Sequence, residues 1–166
     1  MIHTTAKTEQ DSESCWQTPP DLVARFRDVL GGIDLDPCTT PANPVGATLF
    51  YAPPDDGILL PWYARRIYCN PPYGRTMPHW VEKCITAASA GEKVLLLVPG
   101  RSDNAWYHKA ILHAREALLL RSRIRFIDPA TGEPRREGGM FASVLFGFNV
   151  SLEPLADLGV IIQRKQ

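Results

Sequence analysis

The chain is 166 residues long, enough for one domain and hardly two. Hydrophobic residues make up 45% and charged residues 22%, the balance of an ordinary globular protein, and no apolar run approaches the ~20 residues that span a bilayer. The formal net charge is zero, which leans against duplex DNA as a partner and directs attention to local charge.

The first stretch, MIHTTAKTEQDSES, is polar, lacks the apolar centre of a secretory signal, and reads as a flexible leader over residues 1–14. Residues 15–166 read as a single domain. TPPDLVARFRDVLGG predicts a helix: Thr18 suits an N-cap, Pro19 a first position, and Leu22, Val23, Phe26, Val29 and Leu30 fall on one stripe before Gly31 and Gly32. IDLDP predicts a short strand with a proline stop. The next segment, CTTPANPVGATLFYAPPDDGILLPWY, is rich in Pro, Gly and Asn and predicts irregular chain with at most a short element.

RRIYC predicts a strand and MPHWVEKCITAASAG a helix with Trp80, Val81, Cys84, Ile85 and Ala88 inward. KVLLLVPG is the apolar run of a strand covered on both faces. DNAWYHKAILHARE predicts a helix capped at Asp103 or Asn104. ALLL and RIRFI predict strands or one bent strand, MFASVLFGFNV a long strand, and LGVIIQ an edge strand. Residues 128–139 carry Pro, Gly and paired charges without apolar periodicity and predict a mobile loop. Helix and strand alternate through most of the chain, so the expected fold is α/β in three layers, with a mixed, mainly parallel sheet and crossover helices.

Cys15, Cys38, Cys69 and Cys84 are scattered with no CxxC pair, which argues against a metal site. Cys69 and Cys84 lie among apolar residues and read as buried thiols suited to a reducing cytoplasm. His3, His79, His108 and His113 pair with no cysteine or acid, which leaves no histidine placed as a general base.

In open α/β sheets ligands bind beyond the carboxyl ends of the strands. Asp36, Pro37 and Cys38 end one predicted strand. Asn70, Pro71, Pro72 and Tyr73 end the next, and Pro99, Gly100 and Arg101 the third. The diproline stops the backbone ladder, since neither residue donates a hydrogen bond. It also holds chemistry in place. An exocyclic amine on a nucleobase is a poor nucleophile because its lone pair is delocalised into the ring. Acceptors at both N–H bonds favour a pyramidal nitrogen, and the Asn70 side-chain oxygen and Pro71 carbonyl can be that pair. Fixed φ at the prolines preorganises them, and Tyr73 offers a flat face for a base taken out of its stack.

These residues carry a family resemblance. The order CWQTPPDLVARF, DLDPCTTPAN, DDGILLPW, IYCNPPYG, WVEKC, LLLVPGR, AWY and RIRF resembles the phage and prophage Dam-like DNA N6-adenine methyltransferases, from about Cys15 to about Phe148. The resemblance implies a Rossmann-like methyltransferase fold, S-adenosylmethionine as cofactor, DNA as partner, no metal and no membrane, and a bacterial host cytoplasm if the protein is phage-encoded. It implies Asn70, Pro71, Pro72 and Tyr73 as the catalytic loop. Trp16, Thr18 and Pro19 match the segment near the methionine end of the cofactor. Asp36 and Pro37 match the acidic start of the cofactor loop, where Asp36 meets the methionine amino group. Asp56 and Gly57 match a turn near the cofactor adenine, with Asp55 chemically as good, and Cys38, Thr39 and Thr40 are further possible contacts.

Arg101, Arg123, Arg125, Arg135 and Arg136 are candidates for DNA phosphate, or a solvated face. Asp36-Pro37-Cys38 departs from the family's Gly-rich continuation, and no acid ends a second strand to hold a ribose. The chain is also short for a separate target-recognition domain. Two other readings stay open. One keeps fold and cofactor but takes another amine, such as cytosine N4, RNA adenine or a glutamine side chain. The other is an inactive nucleic-acid-binding module.

Overall fold

The computed structural model describes residues 16–136 and 141–164. The expected leader, Cys15, and residues 137–139 of the expected mobile loop lie outside the described residues.

Helix α1 (Pro20–Leu30) buries Val23, Phe26 and Leu30, the stripe read from the sequence. It starts one residue later than the capping pattern suggests. Pro19 is at the N-cap, no side chain caps the turn, and the Thr18 hydroxyl is engaged elsewhere. Gly31 closes the helix at φ 77°, a conformation that costs a residue with Cβ about 1 kcal/mol or more.

The strands are β1 (Leu35–Asp36), β2 (Leu49–Phe50), β3 (Arg66–Cys69), β4 (Lys93–Pro99), β5 (Glu116–Leu120), β6 (Ser143–Phe148) and β7 (Gly159–Gln163). Helices α2 (Met77–Ser89) and α3 (Ala105–His113) are the crossovers on either side of β4 in sequence. The sheet order is β2-β1-β3-β4-β6-β5-β7. Strands β2, β1, β3 and β4 pair in parallel, whereas β6 is antiparallel to both neighbours and β7 pairs antiparallel with β5. The mixed, mainly parallel three-layer sheet expected from the sequence is thus the observed one.

Strand β4 shows why both faces must be apolar. Leu95 and Leu97 pack with Val23, Phe26, Leu30 and Tyr68 on the α1 side. Val94, Leu96 and Val98 pack with Trp80, Val81, Cys84 and Tyr107 on the α2–α3 side. Strict alternation along one strand therefore feeds two cores.

RIRFI is not a strand of the sheet. After β5 both flanking positions are occupied, by β6 and β7, so the chain must leave. Ile124 and Phe126 still bury their side chains. The backbone there makes only isolated bridges, Gln17 with Ile127 and Ile127 with Pro134. Residues 128–136 fold back as a turn closed by Asp128 N–H to the Glu133 carbonyl at 2.9 Å. Strand β6 begins at Ser143, later than the predicted start, and a 3₁₀ turn (Glu153–Leu158), not foreseen in the sequence, buries Leu155 before β7. No helix among the described residues is long and apolar enough to cross a membrane.

Candidate active site

The carboxyl ends of β1 and β3 open into a cleft. Its lining includes Trp16, Thr18, Asp36, Pro37, Cys38, Asp55, Asp56, Asn70 and Pro72, all singled out in the sequence, together with Thr39, Thr40 and Gly57. Pro19, Pro71 and Tyr73 do not line it. Pro19 is occupied as the N-cap of α1, and Tyr73, 37% exposed as a residue, does not line the cleft.

Sequence reasoning missed Gln17, Tyr51, Tyr68 and Trp80 in the lining. Tyr68 was findable: strand side chains alternate, so Tyr68 and Asn70 share a direction. Trp80 sits at helical spacing among core residues, and nothing in the pattern distinguishes a wall of a cleft from interior.

Asp36 ends β1 and is 3% exposed. Its carboxylate accepts the Cys38 backbone N–H at 3.2 Å and a hydrogen bond from the Thr39 side chain. Burial outweighs these bonds and pushes its pKa up to about 7. No lysine or arginine pairs with it among the described residues. A buried acid in this position favours a cationic ligand group. Beneath it Cys38 Sγ lies 3.7 Å from Cys69 Sγ, and burial raises both thiols' pKa, so they remain protonated and weakly reactive.

The opposite wall is the turn at residues 55–57. One Asp56 carboxylate oxygen accepts the Ile58 N–H at 2.9 Å, so that side chain braces its own turn. Asp55 makes no such bond among the described residues. At Gly57 a Cβ would come within 1.9 Å of the Pro37 carbonyl oxygen and 3.1 Å of the Trp80 ring, so glycine alone permits this approach of the two loops. The indole N–H groups of Trp16 and Trp80 are buried without an acceptor among the described residues.

Asn70 is held from behind. Its Nδ2 donates to the Trp16 carbonyl at 3.4 Å and to Thr18 Oγ1 at 3.3 Å. A carbonyl only accepts, so the group facing Trp16 is the NH₂ and the side-chain oxygen is left for the cleft. The Tyr73 ring meets Phe126 edge-on, with centroids 6.4 Å apart and planes at 84°. Its hydroxyl is hydrogen-bonded with Ser143, and burial of that end raises its pKa.

Two of the candidate arginines, Arg125 and Arg135, adjoin the cleft at Trp16. Arg135 lies over the Trp16 ring at 4.5 Å, and Arg125 Nε donates to the Arg135 carbonyl at 3.0 Å. Arg101 follows β4, lies over the Phe141 ring at 4.7 Å and pairs with Asp103 at 3.4 Å. Arg123 and Arg136 are exposed and have no ion-pair partner among the described residues. Phe126 joins this segment to the Asn70–Tyr73 loop through Tyr73.

A profile of the DNA N-6-adenine-methyltransferase (Dam) family matches residues 4–165. The chain belongs to that family. This makes it an adenine-specific DNA methyltransferase by class. The DNA N-6-adenine-methyltransferase of Haemophilus phage HP1 (strain HP1c1) is 26% identical over 133 residues, 78% of this chain and 76% of the relative. No solved structure matches the chain.

Proposed function

We propose that this Dam-family protein methylates N6 of adenine in DNA with S-adenosylmethionine, using the Asn70-Pro71-Pro72-Tyr73 loop. The observation that carries the reading is Asn70: its NH₂ faces the protein, and its oxygen, without a bond among the described residues, can accept a substrate N–H.

The cleft fits the cofactor by its donor set. Asp36, a buried acid without a protein cation, suits the methionine ammonium. Apolar walls from Val45 and Trp80 suit the adenosine, as does the close loop approach at Gly57. Bound there, S-adenosylmethionine supplies a methyl group activated on a sulfonium.

The chain's own residues then act on the base. Asn70 Oδ1 and the Pro71 carbonyl would accept the two N–H bonds of the adenine amine, freeing its lone pair for the new N–C bond while the electrons of the broken methyl–sulfur bond stay on sulfur as a neutral thioether. Tyr73 stacks on the flipped base, braced by Phe126. The methylated nitrogen loses one proton to solvent, so no strong base is needed. Arg101, Arg123, Arg125, Arg135 and Arg136 hold DNA phosphates beside the loop, a local positive patch on a chain of zero net charge. A bacterial host cell is the setting that this reading assigns.

The test is incubation of the protein with labelled S-adenosylmethionine and unmethylated duplex DNA, followed by digestion to nucleosides. Label in N6-methyl-2′-deoxyadenosine supports the reading. Label only in N4-methylcytosine, in RNA or in protein refutes it.

A further inference from the structure

We propose that Thr18 and Tyr68 are positioning residues for methyl transfer: through the Thr18 hydroxyl they fix the Asn70 carboxamide with its oxygen toward the substrate amine. The inference rests on the catalytic role proposed above for Asn70.

A carboxamide has two ends of nearly equal size. With oxygen outward it accepts from the adenine amine. Turned over, it sets N–H against N–H, and the preorganised acceptor is lost. Something must decide between these states before substrate arrives. The Trp16 carbonyl is one determinant at 3.4 Å, but a long bond leaves the choice weakly biased. The Thr18 hydroxyl is the other, at a similarly long 3.3 Å from Nδ2, so the two act together to bias what neither decides alone.

That hydroxyl is itself fixed. Thr18 Oγ1 and the Tyr68 hydroxyl are 2.6 Å apart, a short bond between two buried groups. Thr18 is 5% exposed and Tyr68 1%, so water has little access to substitute for either partner. The arrangement that selects the NH₂ has Thr18 donating to the Tyr68 oxygen, because its hydroxyl then offers only acceptor lone pairs to Asn70. The Tyr68 ring is anchored in turn, tilted against Phe26 of α1 with centroids 5.6 Å apart. A rigid line thus runs from the α1 core to the carboxamide. A buried phenol that served only packing would be replaceable by phenylalanine. Among the described residues its hydroxyl is bonded to Thr18 alone. The Thr18 hydroxyl is fully engaged behind Asn70, which gives this threonine a part in transfer separate from lining the cleft.

Single-turnover transfer from labelled S-adenosylmethionine to duplex DNA, with cofactor affinity and thermal melting measured alongside, tests this. Thr18→Val should slow transfer by ~10- to 100-fold while cofactor Kd moves less than about threefold. Thr18→Ser, which keeps the hydroxyl, should recover at least about tenfold of that loss. Tyr68→Phe should fold and slow transfer by about tenfold.

Wild-type transfer by Thr18→Val, equal losses in Thr18→Val and Thr18→Ser, or a fall in cofactor affinity matching the fall in rate would each overturn the inference. Asn70→Ala in the same assay separates the two levels. Full transfer by Asn70→Ala, or none by the wild type, refutes the catalytic reading and this inference with it. Loss in Asn70→Ala without loss in Thr18→Val refutes the positioning role alone.

Discussion

Asp36 makes the proposed cofactor site sensitive to pH, and the sign follows from its surroundings. Burial raises its pKa from the ordinary 3.8 to about 7. That shift of roughly 3 units corresponds to about 4 kcal/mol disfavouring the carboxylate in the free protein. A folded-state pKa above the unfolded value means that the native state binds the extra proton. Stability is therefore greatest below about pH 4 for this group, and declines as pH rises towards 7.

A cationic amine placed beside Asp36 reverses the preference, because it stabilises the carboxylate. Binding below pH 7 then expels a proton. Cofactor affinity should rise by up to about tenfold per pH unit between roughly pH 5 and 7, and flatten above 7. Calorimetry in two buffers of different ionisation enthalpy measures the released proton directly. Asp36→Asn should abolish this slope, weaken cofactor binding at pH 7.5 by about ten- to a hundredfold, and raise the melting temperature of the free protein at pH 8. A flat affinity profile in the wild type, or uptake of a proton on binding, would refute the placement of an ammonium at Asp36.

Three further outcomes are expected. Asn70→Ala should lower single-turnover transfer by at least ~100-fold, with equilibrium dialysis showing cofactor affinity within a few-fold, since only the acceptor for the amine is lost. Gly57→Ala should destabilise the fold by about 1–3 kcal/mol in urea melts and weaken cofactor binding, because its Cβ would overlap the Pro37 carbonyl oxygen. Arg123→Ala combined with Arg125→Ala should weaken DNA binding evenly across sequences. A filter-binding series in salt should then show the slope of log K against log salt reduced by about 0.9 for each phosphate contact removed.

How much of this was legible in the chain depended on whether a residue's neighbours in sequence were also its neighbours in function. Asp36 and Asn70 were readable because each ends a strand, and strand ends of this sheet type face a common edge. Tyr68 was overlooked although it stands two positions before Asn70, where the pleat gives both side chains one direction. Thr18 was read locally as a helix cap and, by resemblance, as a cofactor contact. The actual partners, Tyr68 and Asn70, lie some fifty residues away, and local propensity carries no information about them. Trp80 looked like a core aromatic, and Tyr51 lay in a stretch read as irregular chain. RIRFI has strand composition but no vacant neighbour beside β5, a fact of topology and not of propensity.

The same separation between local and long-range information bears on how a chain of zero net charge can grip DNA. Asp34 is tied to Arg66 and Asp157 to Arg25, and neither pair belongs to the cleft or its arginine rim. Each of those pairs is neutral in itself, so the charge offered to DNA is that of the exposed Arg123, Arg125 and Arg136 set against Asp128 and Glu133 of the same segment. Arg135 on Trp16 and Phe126 against Tyr73 then tie that patch to both halves of the site. The strand-end acid, the diproline corner and the arginine segment are remote in sequence. Their convergence at one sheet edge is what a net charge averages away.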